Sequence, residues 1–149
     1  MSEDKIQIFI DAVVRYFKQI ANTDVKVGAP YLESNLSPQA MDYTGIIGIS
    51  GQYKGCVYFT APKVLLKHLL MTMGETDTSQ ENMIDMVGEV ANTLSGNARK
   101  ELGRDFMISV PVVVRGAPSS IHLPKDMRSY VIPISWKGYS AAVVTCIKE

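Results

Sequence analysis

Asp85, Glu89, Asn92 and Gly96 follow one another at steps of four, three and four. An α-helix turns about 100° per residue, so those steps hold all four in one narrow stripe and set a carboxylate beside a carboxamide. A carboxylate grips cations; a carboxamide offers a hydrogen-bond donor and an acceptor without changing charge. The opposite face carries Met83, Val87, Val90, Leu94 and Ala98, the period of a helix that packs on a core. Solvated helix faces are commonly polar, but this one includes residues that solubility does not require. Gly88 and Gly96 lie on or beside the stripe, where glycine costs about 1 kcal/mol relative to alanine, and Asn92 is also a poor helix former. Missing side chains beside an acid and an amide predict that another backbone or helix approaches closely.

The stripe needs a rigid rod. Thr78-x-x-Glu81 has capping-box spacing, so the rod is predicted to begin near Thr78 or Ser79 and to end near Gly103. Upstream, Ile6, Phe9, Ile10, Val13, Val14, Phe17 and Ile20 recur with helical spacing over about Lys5 to Ala21, predicting an amphipathic helix packed on a sheet. Val25 to Leu32 reads as a strand, with Pro30 arguing for an edge or a bend. Tyr43 to Ser50 and Cys56 to Ala61 flank Gly51-Gln52-Tyr53-Lys54-Gly55, a connection suited to a hairpin. Pro62 opens a short helix through Leu70, which Gly74 ends. Met107 to Val114, Tyr130 to Trp136 and Tyr139 to Ile147 are rich in β-branched and aromatic residues, with a tight hairpin at Lys137-Gly138. Ala117 to Asp126 reads as a polar loop. The predicted fold is α+β, a largely antiparallel six-stranded sheet with helices packed on it in the order αβββααβββ.

At 149 residues the chain fits one domain, 1–149, with enough core to need no disulfide or metal. Fifteen basic and fifteen acidic side chains balance, with no basic block, which argues against nucleic acid as a partner. Cys56 and Cys146 sit in strand-like runs without CxxC spacing, predicting reduced thiols. No apolar run reaches membrane-spanning length and Met1-Ser2-Glu3-Asp4 lacks the start of a signal peptide; a cytoplasmic location is expected. Asn35-Leu36-Ser37 is a formal glycosylation sequon, uninformative before Pro38. His68 and His122 have no acid or cysteine at ligand spacing, so no metal site is predicted. Gly51-x-x-x-Gly55 lacks the Lys-Ser/Thr ending of a phosphate-binding loop, and no serine sits in a nucleophile elbow.

With its elements in this order, the chain resembles the CheC/CheX/FliY family of chemotaxis phosphatases, and its CheX branch above all. Asp85, Glu89, Asn92 and Gly96 match the pattern of that family's active helix. Ile49-Ser50-Gly51 with Gly55 resembles the family hairpin, Leu70-Met71-Thr72-Met73-Gly74 the end of the short helix, and Ser109-x-Pro111-x-Val113-x-x-Gly116 the strand after the active helix. CheC-like members can carry a second Glu-x-x-Asn on the first helix. Ile10 and Val13 stand at that spacing here, which favours the CheX branch and a packing role for the first helix.

The resemblance implies hydrolysis of the aspartyl phosphate of a CheY-type response regulator. Asn92 would hold the attacking water in line and Glu89 would pair with the regulator's lysine. Gly88 and Gly96 would let the partner approach, and Asp85 would cap, orient or contact it. It also implies no cofactor of the chain's own, Mg2+ held by the regulator's acids, and a homodimer formed through sheet edges. A non-catalytic regulator-binding or flagellar-switch module using the same helix is the alternative reading.

Overall fold

The computed structural model describes residues 3–36, 38–116 and 121–149. A helix, α1 (Glu3–Ile20), precedes strands β1 (Lys26–Val27), β2 (Tyr31–Ser34), β3 (Tyr43–Gly51) and β4 (Lys54–Ala61). Helices α2 (Lys63–Thr72) and α3 (Gln80–Leu102) follow, then β5 (Phe106–Ile108), β6 (Val112–Arg115), β7 (Arg128–Trp136) and β8 (Tyr139–Lys148). All strand pairings are antiparallel.

Eight segments fill the six strand positions that the sequence predicts. β1 and β2 both pair with β7 at one rim, and β5 and β6 both pair with β3 at the other, around the central run β7-β8-β4-β3. Each rim breaks at a proline, Pro30 or Pro111, because proline has no N–H to give the ladder and persists only where no second neighbour requires one. At the second break Ser109 keeps the rim attached. Its hydroxyl accepts from the Gly48 amide at 2.8 Å, and its own amide donates to the Gly48 carbonyl at 2.9 Å. Lys137 (φ 50°) and Gly138 (φ 82°) turn the chain between β7 and β8, the double positive φ of a type I′ hairpin.

One face of the sheet carries α1, α2 and α3 over the main core. α1 departs from expectation. It packs chiefly against α3, not on the sheet. It reaches the strands through Phe9, 6.3 Å from the ring of Phe106, and Phe17, 5.8 Å from Trp136. Val14 and Ile20, counted on its apolar face, are exposed. The other sheet face holds a smaller cluster of Tyr58, Ile121, Val131, Ala142 and Val144. Of the loop expected over 117–126, residues 117–120 lie outside the described residues, while Ile121 is buried in that cluster.

Ser37 of the sequon also lies outside them; Asn35 is buried, donating to the Pro124 carbonyl at 2.7 Å and accepting from the Ser129 hydroxyl. Cys56 and Cys146 are free thiols facing one another in the β4–β8 register, Cys146 buried and Cys56 half-buried.

Candidate functional site

α3 is positioned from both ends and from below. Ser79, the N-cap, accepts the Asn82 amide on its hydroxyl at 3.3 Å. Of the two expected starts, Ser79 is therefore the cap. Gly103 closes the other end at φ 97°, its amide donating to the Arg99 carbonyl at 2.8 Å. Beneath, Met83, Val87, Val90, Leu94 and Ala98 are all buried, the predicted core face.

The sheet meets this helix backbone to backbone. A Cβ on Gly45 of β3 would lie 2.5 Å from the Val87 carbonyl oxygen and 3.1 Å from the Gly88 Cα. Any larger residue at position 45 would lift the helix. The hairpin reading of residues 43–61 did not single out Gly45; its only signal was a glycine inside a strand, which marks close backbone approach.

Asp85, Glu89 and Asn92 are exposed on the outer face of α3. The ion pairs among the described residues are Lys5–Glu149 and Lys18–Asp24, so neither acid has a cation within 4.0 Å. Glu89 acts electrostatically on one residue of α1. The Tyr16 hydroxyl, donating to the Met86 sulfur at 3.5 Å, is held far above its ordinary pKa of 10.0 by burial and secondarily by the charge of Glu89. The phenol stays neutral. The apolar period of α1 passed over this residue. In the same helix Val13 is buried and Ile10 half-buried, so those positions serve packing.

The two glycines separate. Gly88 is buried, and a Cβ there would meet Val113 Cγ2 at 3.3 Å and Pro111 Cβ at 3.6 Å. The expectation that it clears room for a partner is corrected: the closely approaching segments belong to this chain, β3 below and the rim at Pro111 above. Gly96 is partly open, with nothing within 4 Å of an added Cβ. Four of the five predicted positions, Asp85, Glu89, Asn92 and Gly96, thus share one accessible stripe. Among the described residues no three His, Cys, Asp or Glu side chains gather as a metal ligand set, and no helix is long and apolar enough to cross a membrane.

Comparison with known proteins bears on what such a stripe is for. The sequence model of a family described as chemotaxis phosphatase CheX matches residues 43–135. No curated protein matches the chain. Among solved structures, a CheC-like superfamily protein from Shewanella sp. PV-4 has a TM-score of 0.85 at 31% identity, covering 100% of both chains. Chemotaxis protein CheX from Vibrio vulnificus has a TM-score of 0.82 at 26% identity, over 97% of this chain and 99% of that one. A chain of the CheX–CheY–BeF3–Mg2+ complex from Borrelia burgdorferi has a TM-score of 0.77 at 23% identity, over 99% and 100%, a likeness of fold.

Proposed function

The chain belongs to the CheX family of chemotaxis phosphatases, and on that footing we propose that it hydrolyses the aspartyl phosphate of a CheY-type response regulator through Asn92 and Glu89. The observation that carries this reading is a carboxylate and a carboxamide, both exposed, one turn apart on a helix capped at each end and seated on backbone.

Asn92 enters the regulator's site and orients one water opposite the acyl oxygen. The water oxygen bonds to phosphorus, the bond from phosphorus to the aspartyl oxygen breaks, and inorganic phosphate leaves beside a free carboxylate. Little covalent work falls to the protein in such a transfer, so positioning carries most of the rate. The amide is suited to it because it accepts from water and donates elsewhere without gaining or losing a proton. Glu89, about 4.5 Å away along the axis, pairs with the regulator's lysine and fixes the reach of Asn92. Asp85, a turn further toward the N-terminus, orients or contacts the partner. Mg2+ on the regulator's own acids offsets phosphoryl charge; the exposed stripe, with two separated acids, fits a partner that brings its metal with it.

The whole of 1–149 acts as one cytoplasmic domain in this reading, paired with a second copy. The open side of β6, with Val112 exposed and β-branched residues at three successive positions, supports pairing along that rim. Sedimentation at micromolar concentration should give twice the chain mass; a monomer there removes the dimer from the proposal.

A phosphate-release time course with candidate phosphorylated regulators tests the chemistry. Asn92→Ala should abolish acceleration, a loss of about 100-fold or more, while binding to a beryllofluoride-loaded regulator is largely kept. Glu89→Ala should weaken both binding and turnover. Wild-type protein that binds a regulator without shortening its phosphorylated lifetime would instead be a docking or switch module.

A further inference from the structure

The polar stripe of α3 continues beyond Gly96. At about 100° per residue, Arg99 and Lys100 fall on the two sides of the line through Asn92, Gly96 and Gly103. Both are exposed, as is Arg104 just past the cap. With Gly96, Gly103 and Ile108 these cations line a shallow groove of about 450 Å3. None of the three has a carboxylate within 4.0 Å among the described residues.

A helix C-terminus favours cations in its last turn, and that preference accounts for Arg99 and Lys100. It does not account for Arg104 beyond the cap, nor for the floor between the cations. Gly103 has the positive φ a cap requires. Gly96 has no such reason within this chain: it costs about 1 kcal/mol relative to alanine in a helix, and an added Cβ would touch nothing. Stripe charge therefore runs from Asp85 and Glu89, through neutral Asn92 and Gly96, to three cations, a span of about 22 Å from Asp85 to Lys100.

We propose that Arg99, Lys100 and Arg104 form a cationic clamp that receives acidic side chains on the docking face of the response regulator, distinct from the acids that hold its Mg2+. The proposal rests on the phosphatase reading and deepens it. Glu89 takes a cation on one side of the phosphoryl group while the clamp takes anions on the other, so only one docking direction satisfies both ends. The reversed orientation sets like charges together at each end, which is how electrostatic complementarity fixes register. The clamp is a specificity device, and Asn92 remains the group that meets the reacting water.

The test uses the full chain and its phosphorylated regulator. Arg99→Glu, Lys100→Glu and Arg104→Glu combined should raise KM about tenfold with kcat held within about twofold, and should flatten the fall of kcat/KM with added sodium chloride. An unchanged KM and an unchanged salt slope would overturn the clamp. Should circular dichroism show the charge-reversed protein misfolded, the glutamine triple, which puts no anion against the helix C-terminus, is judged by the same split. If inorganic phosphate inhibits wild type more than sodium chloride of equal ionic strength, and loses that advantage in the triple variant, the groove is a free-anion site and the proposal fails. Wild type that accelerates no regulator refutes the phosphatase reading alone. The clamp is then decided by the dissociation constant for a beryllofluoride-loaded regulator, about tenfold weaker in the variant if it is right and unchanged if it is wrong.

Discussion

Gly96 and Gly88, eight positions apart on one helix, show how differently a missing side chain can be used. Gly88 is consumed by this chain's own packing, whereas Gly96 opens on space that nothing here fills. Gly96→Ala should therefore raise the unfolding free energy by up to about 1 kcal/mol through helix propensity. The same variant should raise KM for a phosphorylated regulator if a partner presses on that spot. Thermal unfolding and steady-state kinetics on one preparation read both; a gain in stability with unchanged KM would remove Gly96 from the docking surface. At this scale the sequence was legible for Asp85, Glu89 and Asn92, because helical period alone puts them outside. It was not legible for Gly88, whose burial depends on Pro111 and Val113, over twenty residues away. Tyr16 was missed for a related reason: a residue that carries a polar hydroxyl on a buried ring does not register as apolar.

Element positions followed from punctuation in the chain. Ser79, Gly103, Pro62 and the Lys137-Gly138 turn each stand where their backbone chemistry requires, and the two rim prolines stand on rims. What the pattern could not supply was the partner of each buried face. The period of α1 says that one side is covered without saying by what, and α3 covers it. The spacing between α3 and the sheet depends on Gly45, so Gly45→Ala should cost about 1–3 kcal/mol, the range for overpacking where backbone blocks the added atom. A denaturant titration measures it. The same variant should lower phosphatase activity without contacting any partner, since the helix that presents Asn92 would sit higher. Unaltered stability would mean that the contact at Val87 relaxes freely.

For the molecule as a whole, three weakly acidic side chains, two of them buried and one half-buried, respond to pH in one direction. Burial, followed by the neighbouring Cys146, pushes the Cys56 thiol from 9.0 to about 12. Burial first, with nearby anionic groups after it, holds Tyr16 and Tyr58 far above 10.0. Folding favours their protonated forms, so the unfolded chain releases these protons first as the pH climbs. Their contribution is level at neutrality and declines from about pH 9 upward. The melting temperature should accordingly hold between pH 7 and 8 and drop between pH 9 and 11; a flat profile over that upper range would mean that those sites are hydrated in solution.

Both rims of the sheet are short as well as broken. One offers the four residues Tyr31–Ser34 and the two residues Lys26–Val27; the other offers Val112–Arg115 and Phe106–Ile108. A foreign strand annealing there gains a handful of backbone bonds before it meets a kink. Added copies gain too little per step to extend indefinitely, so cross-β fibre growth from the rims of the native protein is disfavoured.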